Sequence, residues 1–175
     1  MSYFQFLLQY IHKPGMIGAV APSSKALVNT MLKQIDWKKA RVIAEFGPGT
    51  GVITREILQR MRHDAHLTAF EVNADFCRLL EKVDDSRLTI RKRSAAKLDF
   101  SADVIVSSLP MNVFSIRLKQ QILNASTKNL ANNGKFVQFQ YTRNLEPLLD
   151  EYFSDVKRSF IPLNIPPAFV YVCRK

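Results

Sequence analysis

The chain has 175 residues, of which 47% are hydrophobic and 23% are charged, so it fits one globular domain and excludes a disordered or repetitive protein. Its net charge of +10 favours polyanionic partners, either nucleic acid or an anionic membrane surface. No apolar run approaches the roughly 18 to 20 residues that span a bilayer, and no cleavable leader is predicted. The two cysteines, Cys77 and Cys173, lack metal-ligand spacing, so we predict buried thiols and no metal site.

The first residues form an apolar segment. On a helix, residues 2–12 carry an apolar face and a narrow polar strip. Such a short helix needs a surface to lie on, which is either the protein's own core or a membrane interface flanked by Lys13 and Lys25. A second helix is expected over about residues 22–33. We therefore predict an N-terminal helical cap over residues 1–33.

From residue 34 the chain alternates apolar strands with helices. Strands are predicted at residues 42–46, 67–71, 87–91, 103–107, 135–141, 155–162 and 168–173, and helices at residues 52–61, 74–80, 116–130 and 145–152. The third helix is expected to stop at Asn132-Asn133-Gly134. No helix separates the last two strands, so we expect them to pair antiparallel. The pattern predicts one α/β domain over residues 34–175, with a seven-stranded, mostly parallel sheet and an antiparallel last strand.

A glycine-rich turn, Glu45-Phe46-Gly47-Pro48-Gly49-Thr50-Gly51, follows the first strand. Alternate glycines permit a tight turn and let the backbone approach a ligand. A dinucleotide site would have G-x-G-x-x-G spacing; here the spacing is G-x-G-x-G, and Glu45 stands where it would repel a phosphate. An acid there suits a cationic ligand, such as the amino group of a methionine moiety. Glu71, at the end of the second strand, is placed to accept both hydroxyls of a ribose.

This turn resembles the first motif, E/D-x-G-x-G-x-G, of the class I S-adenosylmethionine-dependent methyltransferases, which have a Rossmann-like fold. The resemblance implies S-adenosyl-L-methionine as the cofactor, bound by the turn from Glu45 to Gly51 with Glu71 and Val72. In that family an acid often follows the third strand, beside the adenine. Here the matching stretch is Arg93-Ser94-Ala95-Ala96, so Ser94 or the backbone of Ala95 is expected to contact the adenine. Ser107 completes the predicted cofactor site.

The fourth strand is followed by Ser108-Leu109-Pro110-Met111-Asn112, at the sheet edge where ligands bind in open α/β sheets. Adenine-N6 methyltransferases have N/D-P-P-Y/F here, and ribosomal RNA adenine dimethylases have N-L-P-Y/F. Their polar residue and prolyl carbonyl hold the target amine, and their aromatic residue stacks on a flipped base. Met111 cannot stack in this way. We predict Ser108 and Pro110 as catalytic residues and Met111 and Asn112 as walls of an apolar acyl or headgroup pocket.

Two further segments carry a closer resemblance. They are Gly18-Ala19-Val20-Ala21-Pro22-Ser23-Ser24, before the first strand, and Asn164-Ile165-Pro166-Pro167-Ala168, between the last two. Together with residues 107–112 and Gln138-Phe139-Gln140-Tyr141, they are similar to bacterial phosphatidylethanolamine N-methyltransferases over nearly the whole chain. The resemblance implies N-methylation of the amino headgroup of a membrane phospholipid.

From this we predict a monomeric, cytoplasmic enzyme that associates peripherally with an anionic membrane surface. Pro22, Ser23 and Ser24 are assigned to substrate binding. Tyr141 and Tyr10 are candidates to orient the amine or relay its proton, with ordinary packing as the alternative.

Two other functions stay open. The positive charge, densest at residues 87–97, and the Leu109-Pro110 pair favour an RNA adenine N6-methyltransferase with nucleic acid as its partner. Met111 counts against it, as does the expectation that no additional C-terminal RNA-binding domain is present. The third possibility is a non-catalytic, cofactor-binding adaptor, which would bind the cofactor without turnover on either substrate class.

Overall fold

The computed structural model describes the backbone of residues 17–175 and side chains from residue 25 onward. The helices are α1 (Ile17–Leu32), α2 (Val52–Arg60), α3 (Ala74–Leu80), α4 (Ile116–Asn129) and α5 (Glu146–Tyr152). The strands are β1 (Val42–Phe46), β2 (His66–Phe70), β3 (Leu88–Arg91), β4 (Ala102–Ser107), β5 (Leu130–Gln140), β6 (Asp155–Ile161) and β7 (Ala168–Arg174). Short 3-10 turns at Ala95–Lys97 and Met111–Val113 follow β3 and β4. The predicted amphipathic segment over residues 2–12 lies outside the described residues.

The strands form one seven-stranded sheet in the order β3-β2-β1-β4-β5-β7-β6. Strands β1 to β5 pair in parallel, and β7 is antiparallel to both β5 and β6. This confirms the predicted α/β sheet and its antiparallel last strand. The strand order reverses between β1 and β4, which places a crevice at the carboxyl ends of these two strands, where ligands bind in such folds.

Both faces of the sheet are covered by helices, so the domain has two hydrophobic cores. The first core packs α1 and α2 against one face, and the second packs α4, α5 and the Ala95–Lys97 turn against the other. Met31 and Leu32 of α1 have no exposed surface, so this helix belongs to the first core. It covers most of the helix expected over about residues 22–33. The division of the chain at residue 33 remains a prediction.

Strand β5 begins earlier than the sequence predicts. Its first residue, Leu130, follows α4 directly and pairs with Ala102, whereas the next pair joins Val104 to Lys135. The extra residues of β5 are accommodated at the Asn132-Asn133-Gly134 turn, where Asn133 has a φ of 64°. A turn signal that was expected to separate helix from strand therefore forms an irregularity inside the strand, because pairing with β4 extends on both sides of it.

Candidate active site at the carboxyl edge of the sheet

The glycine turn, residues 47–51, is built on three left-handed glycines. Gly47, Gly49 and Gly51 have φ values of 68°, 55° and 80°, which disfavour any side chain. A Cβ added at Gly49 would meet nothing within 4 Å, so the backbone there faces open space. A Cβ added at Gly47 would lie 2.7 Å from Cδ2 of Leu109. The turn is thus open to a ligand at Gly49 and closed at Gly47 by the residues that follow β4.

Glu71 fixes the glycine turn against the end of β2. Its Oε1 accepts the N–H groups of Val72 and Asn73 at 2.8 Å each, and its Oε2 accepts that of Gly49 at 3.2 Å. A carboxylate has about four acceptor positions, so three bonds leave capacity for a further donor such as a ribose hydroxyl. Val72 is 73% exposed beside it and offers apolar surface to the same ligand.

Glu45 lies below the glycine turn and has no exposed surface. Its Oε2 accepts the Thr54 hydroxyl of α2 at 2.7 Å, and its Oε1 is without a hydrogen-bond partner among the described residues. Burial raises the pKa of Glu45 to about 8; the Thr54 bond opposes this shift and the charge of Glu71 adds to it. The carboxyl is therefore largely protonated at neutral pH. The side chain therefore does not face solvent, and the assignment of Glu45 to the cofactor remains a prediction.

The other predicted residues of the turn differ in what they expose. Phe46 is buried in the second core, where its ring meets that of Phe70 edge-on at 5.6 Å, and its assignment to the cofactor remains a prediction. Pro48 is buried, and its carbonyl accepts the Gly51 N–H at 2.9 Å, which closes the turn. Thr50 is exposed.

The residues predicted to contact the adenine form a helix cap within the chain. The Ser94 hydroxyl accepts the Ala96 N–H at 3.3 Å and begins the 3-10 turn, while Ala95 is 5% exposed. At the end of β4, the buried Ser107 hydroxyl accepts the Leu109 N–H at 3.4 Å. These contacts position backbone, and the assignment of Ser94, Ala95 and Ser107 to the cofactor remains a prediction.

The β4 loop, residues 108–112, is tied to the strands on both sides. The Ser108 N–H donates to the Phe46 carbonyl of β1 at 2.9 Å. The Leu109 carbonyl accepts Nε2 of Gln138 at 3.1 Å and Nε2 of Gln140 at 2.9 Å, both from β5. Sequence reasoning did not assign a role to these glutamines. Their signal was two polar side chains at alternate positions of an otherwise apolar strand.

Three buried oxygens on or against the β4 loop have no hydrogen-bond partner among the described residues: Ser108 Oγ, Asn112 Oδ1 and Gln138 Oε1. The amide orientations are fixed by their donors, because Gln138 Nε2 also donates to the Phe139 carbonyl at 2.6 Å and Asn112 Nδ2 donates to Thr142 Oγ1 at 2.7 Å. An unmatched buried polar atom costs about 1–3 kcal/mol. The three oxygens together suit a ligand group rich in N–H donors.

Met111 is buried beside this site. It has no exposed surface and packs in the second core, and Phe114 packs partly buried against the same core. The first residue of the 3-10 turn therefore points its side chain inward, and the assignment of Met111 to substrate binding remains a prediction. The Pro110 carbonyl accepts the Val113 N–H at 3.1 Å. The loop therefore presents no aromatic ring on which a base can stack.

The remaining predicted residues lie around this edge or outside the described part. Tyr141 follows β5, is half-buried against the first core and meets the Phe139 ring edge-on at 5.5 Å. Pro22, Ser23 and Ser24 fall within α1, in the stretch described by its backbone alone. Tyr10 lies outside the described residues. Their predicted roles are unchanged.

The basic stretch over residues 87–97 is largely paired within the molecule. Arg87 donates to Asp85 and to the Leu58 carbonyl at the end of α2. The other ion pairs join Lys92 to Glu81 at 2.7 Å, Arg91 to Asp99 at 2.6 Å and Arg93 to Asp99 at 2.7 Å. Much of the charge that suggested a polyanion here serves folding contacts instead. Within residues 17–175, no helix is long and apolar enough to cross a membrane.

Comparison with known proteins yields two kinds of relative. The family model described as ribosomal RNA adenine dimethylase matches residues 23–144. The ornithine lipid N-methyltransferase of Singulisphaera acidiphila is 31% identical over 188 residues, which covers 99% of this chain and 96% of that protein. The ribosomal RNA small subunit methyltransferase A of Thiobacillus denitrificans is 34% identical over 92 residues, covering 50% of this chain but 35% of that enzyme.

Solved structures share the fold. The N-methyltransferase NodS from Bradyrhizobium japonicum WM9 superposes with a TM-score of 0.74 at 13% identity, covering 88% of this chain and 97% of that one. Its complex with S-adenosyl-L-homocysteine gives a TM-score of 0.71 at 13% identity, with 86% and 84% covered. At such identities the likeness is one of architecture.

Proposed function

The chain belongs to the ribosomal RNA adenine dimethylase family and is an S-adenosylmethionine-dependent methyltransferase, and within that family we propose that it N-methylates the amino group of a membrane lipid. The acceptor is either phosphatidylethanolamine or an ornithine lipid, both of which carry a free amino group. The reaction takes place at the carboxyl edge of the sheet, between the glycine turn and the β4 loop.

The observation that carries the proposal is the extent of the two similarities. The relative named for a lipid amine matches from end to end, whereas the relative named for ribosomal RNA matches over about a third of its own length. The β4 loop supports the same choice, because residues 108–112 include no aromatic side chain on which a base could stack, and Met111 stands where the dimethylases have one. RNA recognition of a single base usually needs such a ring.

The cofactor fits the residues at the glycine turn. Gly49 faces open space, Glu71 keeps acceptor capacity for hydroxyls, and Val72 is exposed beside it. When bound, S-adenosylmethionine supplies the methyl group, carried on a sulfonium that is a good leaving group. The protein's part is then alignment, since holding two reactants in line supplies much of the rate.

The β4 loop would hold the amine. Ser108 Oγ, Asn112 Oδ1 and Gln138 Oε1 provide acceptors for its N–H groups, in a region that excludes water. The Leu109 carbonyl already accepts hydrogen bonds from two glutamine amides, so the three side-chain oxygens are the acceptors left for the amine. Gln138 is thereby an acceptor-binding residue that the sequence reasoning had not assigned.

The amino group of such a lipid is an ammonium ion at neutral pH, and it must lose a proton before its lone pair can attack the methyl group. Residues 107–112 and 138–142 include no Asp, Glu or His, so these segments supply no strong base. Burial in a site with apolar neighbours lowers the pKa of an ammonium group, which makes the neutral amine available. Tyr141 is placed after β5 as a candidate to pass the proton onward.

The test is a methyl-transfer assay with the full chain and radiolabelled S-adenosylmethionine. Phosphatidylcholine vesicles containing phosphatidylethanolamine, matching vesicles containing an ornithine lipid, and ribosomal RNA are offered in parallel. We expect label in the amino-lipid fraction of at least one vesicle type and none in RNA. Vesicles of phosphatidylcholine alone are the control.

Two results would replace the proposal. Label in adenine of the RNA, with both amino-lipids untouched, would assign the chain to base methylation. Stoichiometric cofactor binding without transfer to any acceptor would favour the adaptor function.

A further inference from the structure

Large apolar side chains are exposed mainly at the edge of the sheet that holds the site. Because β7 is antiparallel to β5 and β6, the β6–β7 loop, residues 162–167, lies at the carboxyl ends of the parallel strands, next to the end of β5. The exposed large apolar residues at this edge are Val52, Val72, Val113, Ile116, Phe160, Leu163 and Ile165. Among the described residues, Val42 and Leu79 are the others of this kind, and they lie away from it.

The β6–β7 loop presents two of these side chains on a fixed support. Asn164 is 3% exposed, its Nδ2 donates to the Pro166 carbonyl at 2.7 Å, and its backbone N–H donates to the Ile161 carbonyl at 3.3 Å. Its neighbours, Leu163 and Ile165, are 80% and 67% exposed. The buried asparagine anchors the loop, and the two aliphatic side chains on either side of it face solvent. The catalytic proposal leaves this segment without a role.

The three segments around the β6–β7 loop carry basic residues and no acidic ones. Residues 112–117, 142–145 and 160–167 contain no Asp or Glu, and their charged residues are Arg117 and Arg143, both exposed. Arg143 also pairs with Glu146, which is largely buried beneath it. The Asn112–Thr142 hydrogen bond joins the first two of these segments. An apolar surface with basic and no acidic residues complements an anionic lipid surface.

We propose that the β6–β7 loop is a membrane anchor, in which Leu163 and Ile165 insert into the interface of an anionic bilayer and turn the site edge toward it. The inference rests on the proposed function, because this orientation brings the β4 loop to the lipid headgroups. It commits to a bilayer as the partner. Exposed aliphatic side chains gain by leaving water, whereas a nucleic acid backbone offers them no apolar surface.

Insertion can be measured without turnover. Cys77 and Cys173 are buried, so a Leu163→Cys variant directs a thiol-reactive NBD fluorophore to the loop. The matched control is Leu79→Cys, on α3. With vesicles of phosphatidylcholine and phosphatidylglycerol, which carry no acceptor amine, we expect brighter, blue-shifted emission from position 163 and unchanged emission from position 79. Unchanged emission at position 163, whether or not the protein sediments with the vesicles, would overturn the proposal.

Affinity gives the second measurement. Leu163→Asp and Leu79→Asp introduce the same charge into the same residue type, so they separate local insertion from general electrostatics. We expect Leu163→Asp to weaken vesicle binding about tenfold and Leu79→Asp less than twofold, with thermal melting and cofactor binding unchanged in both. Equal losses in both variants, or loss of RNA binding with vesicle binding intact, would contradict the anchor.

The two proposals fail in different ways. If the acceptor is not a lipid, methyl transfer to amino-lipids is absent while the NBD signal on amine-free vesicles persists. If the anchor is wrong, that signal is absent while amino-lipids dispersed in detergent are still methylated.

Discussion

The glycine turn and the β4 loop face each other across the site, yet their polar groups are satisfied to different degrees. Glu71 already binds three backbone N–H groups, and the φ angles of the turn are set by its glycines. The β4 loop and the neighbouring strand instead hold three buried oxygens that lack partners among the described residues. The polar groups of the glycine turn are thus largely paired within the chain, whereas those of the β4 loop are not.

This difference indicates how the two sides set function. A preorganised turn binds one cofactor throughout a family, because its geometry depends on glycines and a single carboxylate. Unsatisfied acceptors cost stability, so they persist where a ligand repays them. On our proposal, specificity for the acceptor resides in side chains of β5 and the β4 loop, and four substitutions test that separation.

The largest effect is expected at the glycine turn. Gly49→Val places a branched side chain at a left-handed φ and into the open space above the turn. We expect S-adenosylmethionine binding, measured by calorimetry, to weaken by roughly a hundredfold or more, about 2.7 kcal/mol. Asn133→Val is the matched control, because Asn133 has a φ of 64° in the β4–β5 irregularity. The Asn133→Val variant should lose a similar amount of stability and keep its affinity for the cofactor. Wild-type affinity in Gly49→Val would show that the glycine turn does not bind the cofactor.

The second effect is on folding at Met111. A tyrosine at this fully buried position is larger and adds a hydroxyl to the second core. We expect Met111→Tyr to lower the free energy of unfolding in urea by about 2 kcal/mol, and Met111→Leu by less than about 1.5 kcal/mol. If Met111→Tyr is as stable as the wild type but has a raised KM for the lipid, Met111 contacts the acceptor and is not simply a core residue.

The third effect separates two neighbouring glutamines. Both donate to the Leu109 carbonyl, but of the two amides only that of Gln138 has a fully buried oxygen without a partner among the described residues. We expect Gln138→Leu to lower kcat/KM for the amino-lipid about tenfold, with cofactor affinity unchanged. Gln140→Leu also removes a donor to the Leu109 carbonyl, but it should lower kcat/KM for the amino-lipid far less. Equal losses would show that the two amides support the loop and that neither binds the amine.

The fourth effect is a pH dependence from Glu45, and it is the smallest when expressed per pH unit. Its pKa rises from 4.5 in the unfolded chain to about 8 in the fold, so the native state binds the extra proton and wild-type stability falls as pH rises between these values. Glu45→Gln keeps a hydrogen-bonding amide and does not titrate. We expect the stability of this variant relative to wild type to increase by about 1 kcal/mol per pH unit between pH 5 and 8.

The matched variant for this measurement is Glu146→Gln. Pairing with Arg143 lowers the pKa of Glu146, so its contribution is present at neutral pH and is lost as pH falls through the lowered pKa. Glu146→Gln should therefore lower the free energy of unfolding most at neutral pH, and the difference from wild type should shrink in acid. Identical pH slopes for both variants would contradict the assignment of a protonated Glu45.

Much of the fold follows from local pattern in the sequence. Helix α3 and strand β1 have the predicted bounds, and β2 and β3 begin within one residue of them. Periodicity and a glycine turn suffice for such elements. The start of β5 could not be found in this way, because the Asn-Gly turn signal is local and the pairing of Leu130 with Ala102 is not.

The site was less predictable than the fold. Spacing identified the glycine turn and Glu71, but not which way a side chain points. Glu45 and Met111 proved to face inward, and the basic stretch proved to be paired with acids from other elements. Gln138 was overlooked because its meaning depends on the Leu109 carbonyl, which is distant in sequence.

The contact between Leu109 and Gly47 carries an evolutionary consequence. The leucine side chain fills the volume that a side chain at position 47 would need, since a Cβ added there would lie 2.7 Å from Leu109 Cδ2. Substitutions at these two positions are therefore epistatic: a bulkier residue 109 presses on the cofactor turn, and a smaller one relaxes it. The ribosomal RNA adenine dimethylases have the same leucine in their N-L-P-Y/F motif, so we expect a loop exchanged with such a relative to keep this packing and to leave the glycine turn undisturbed.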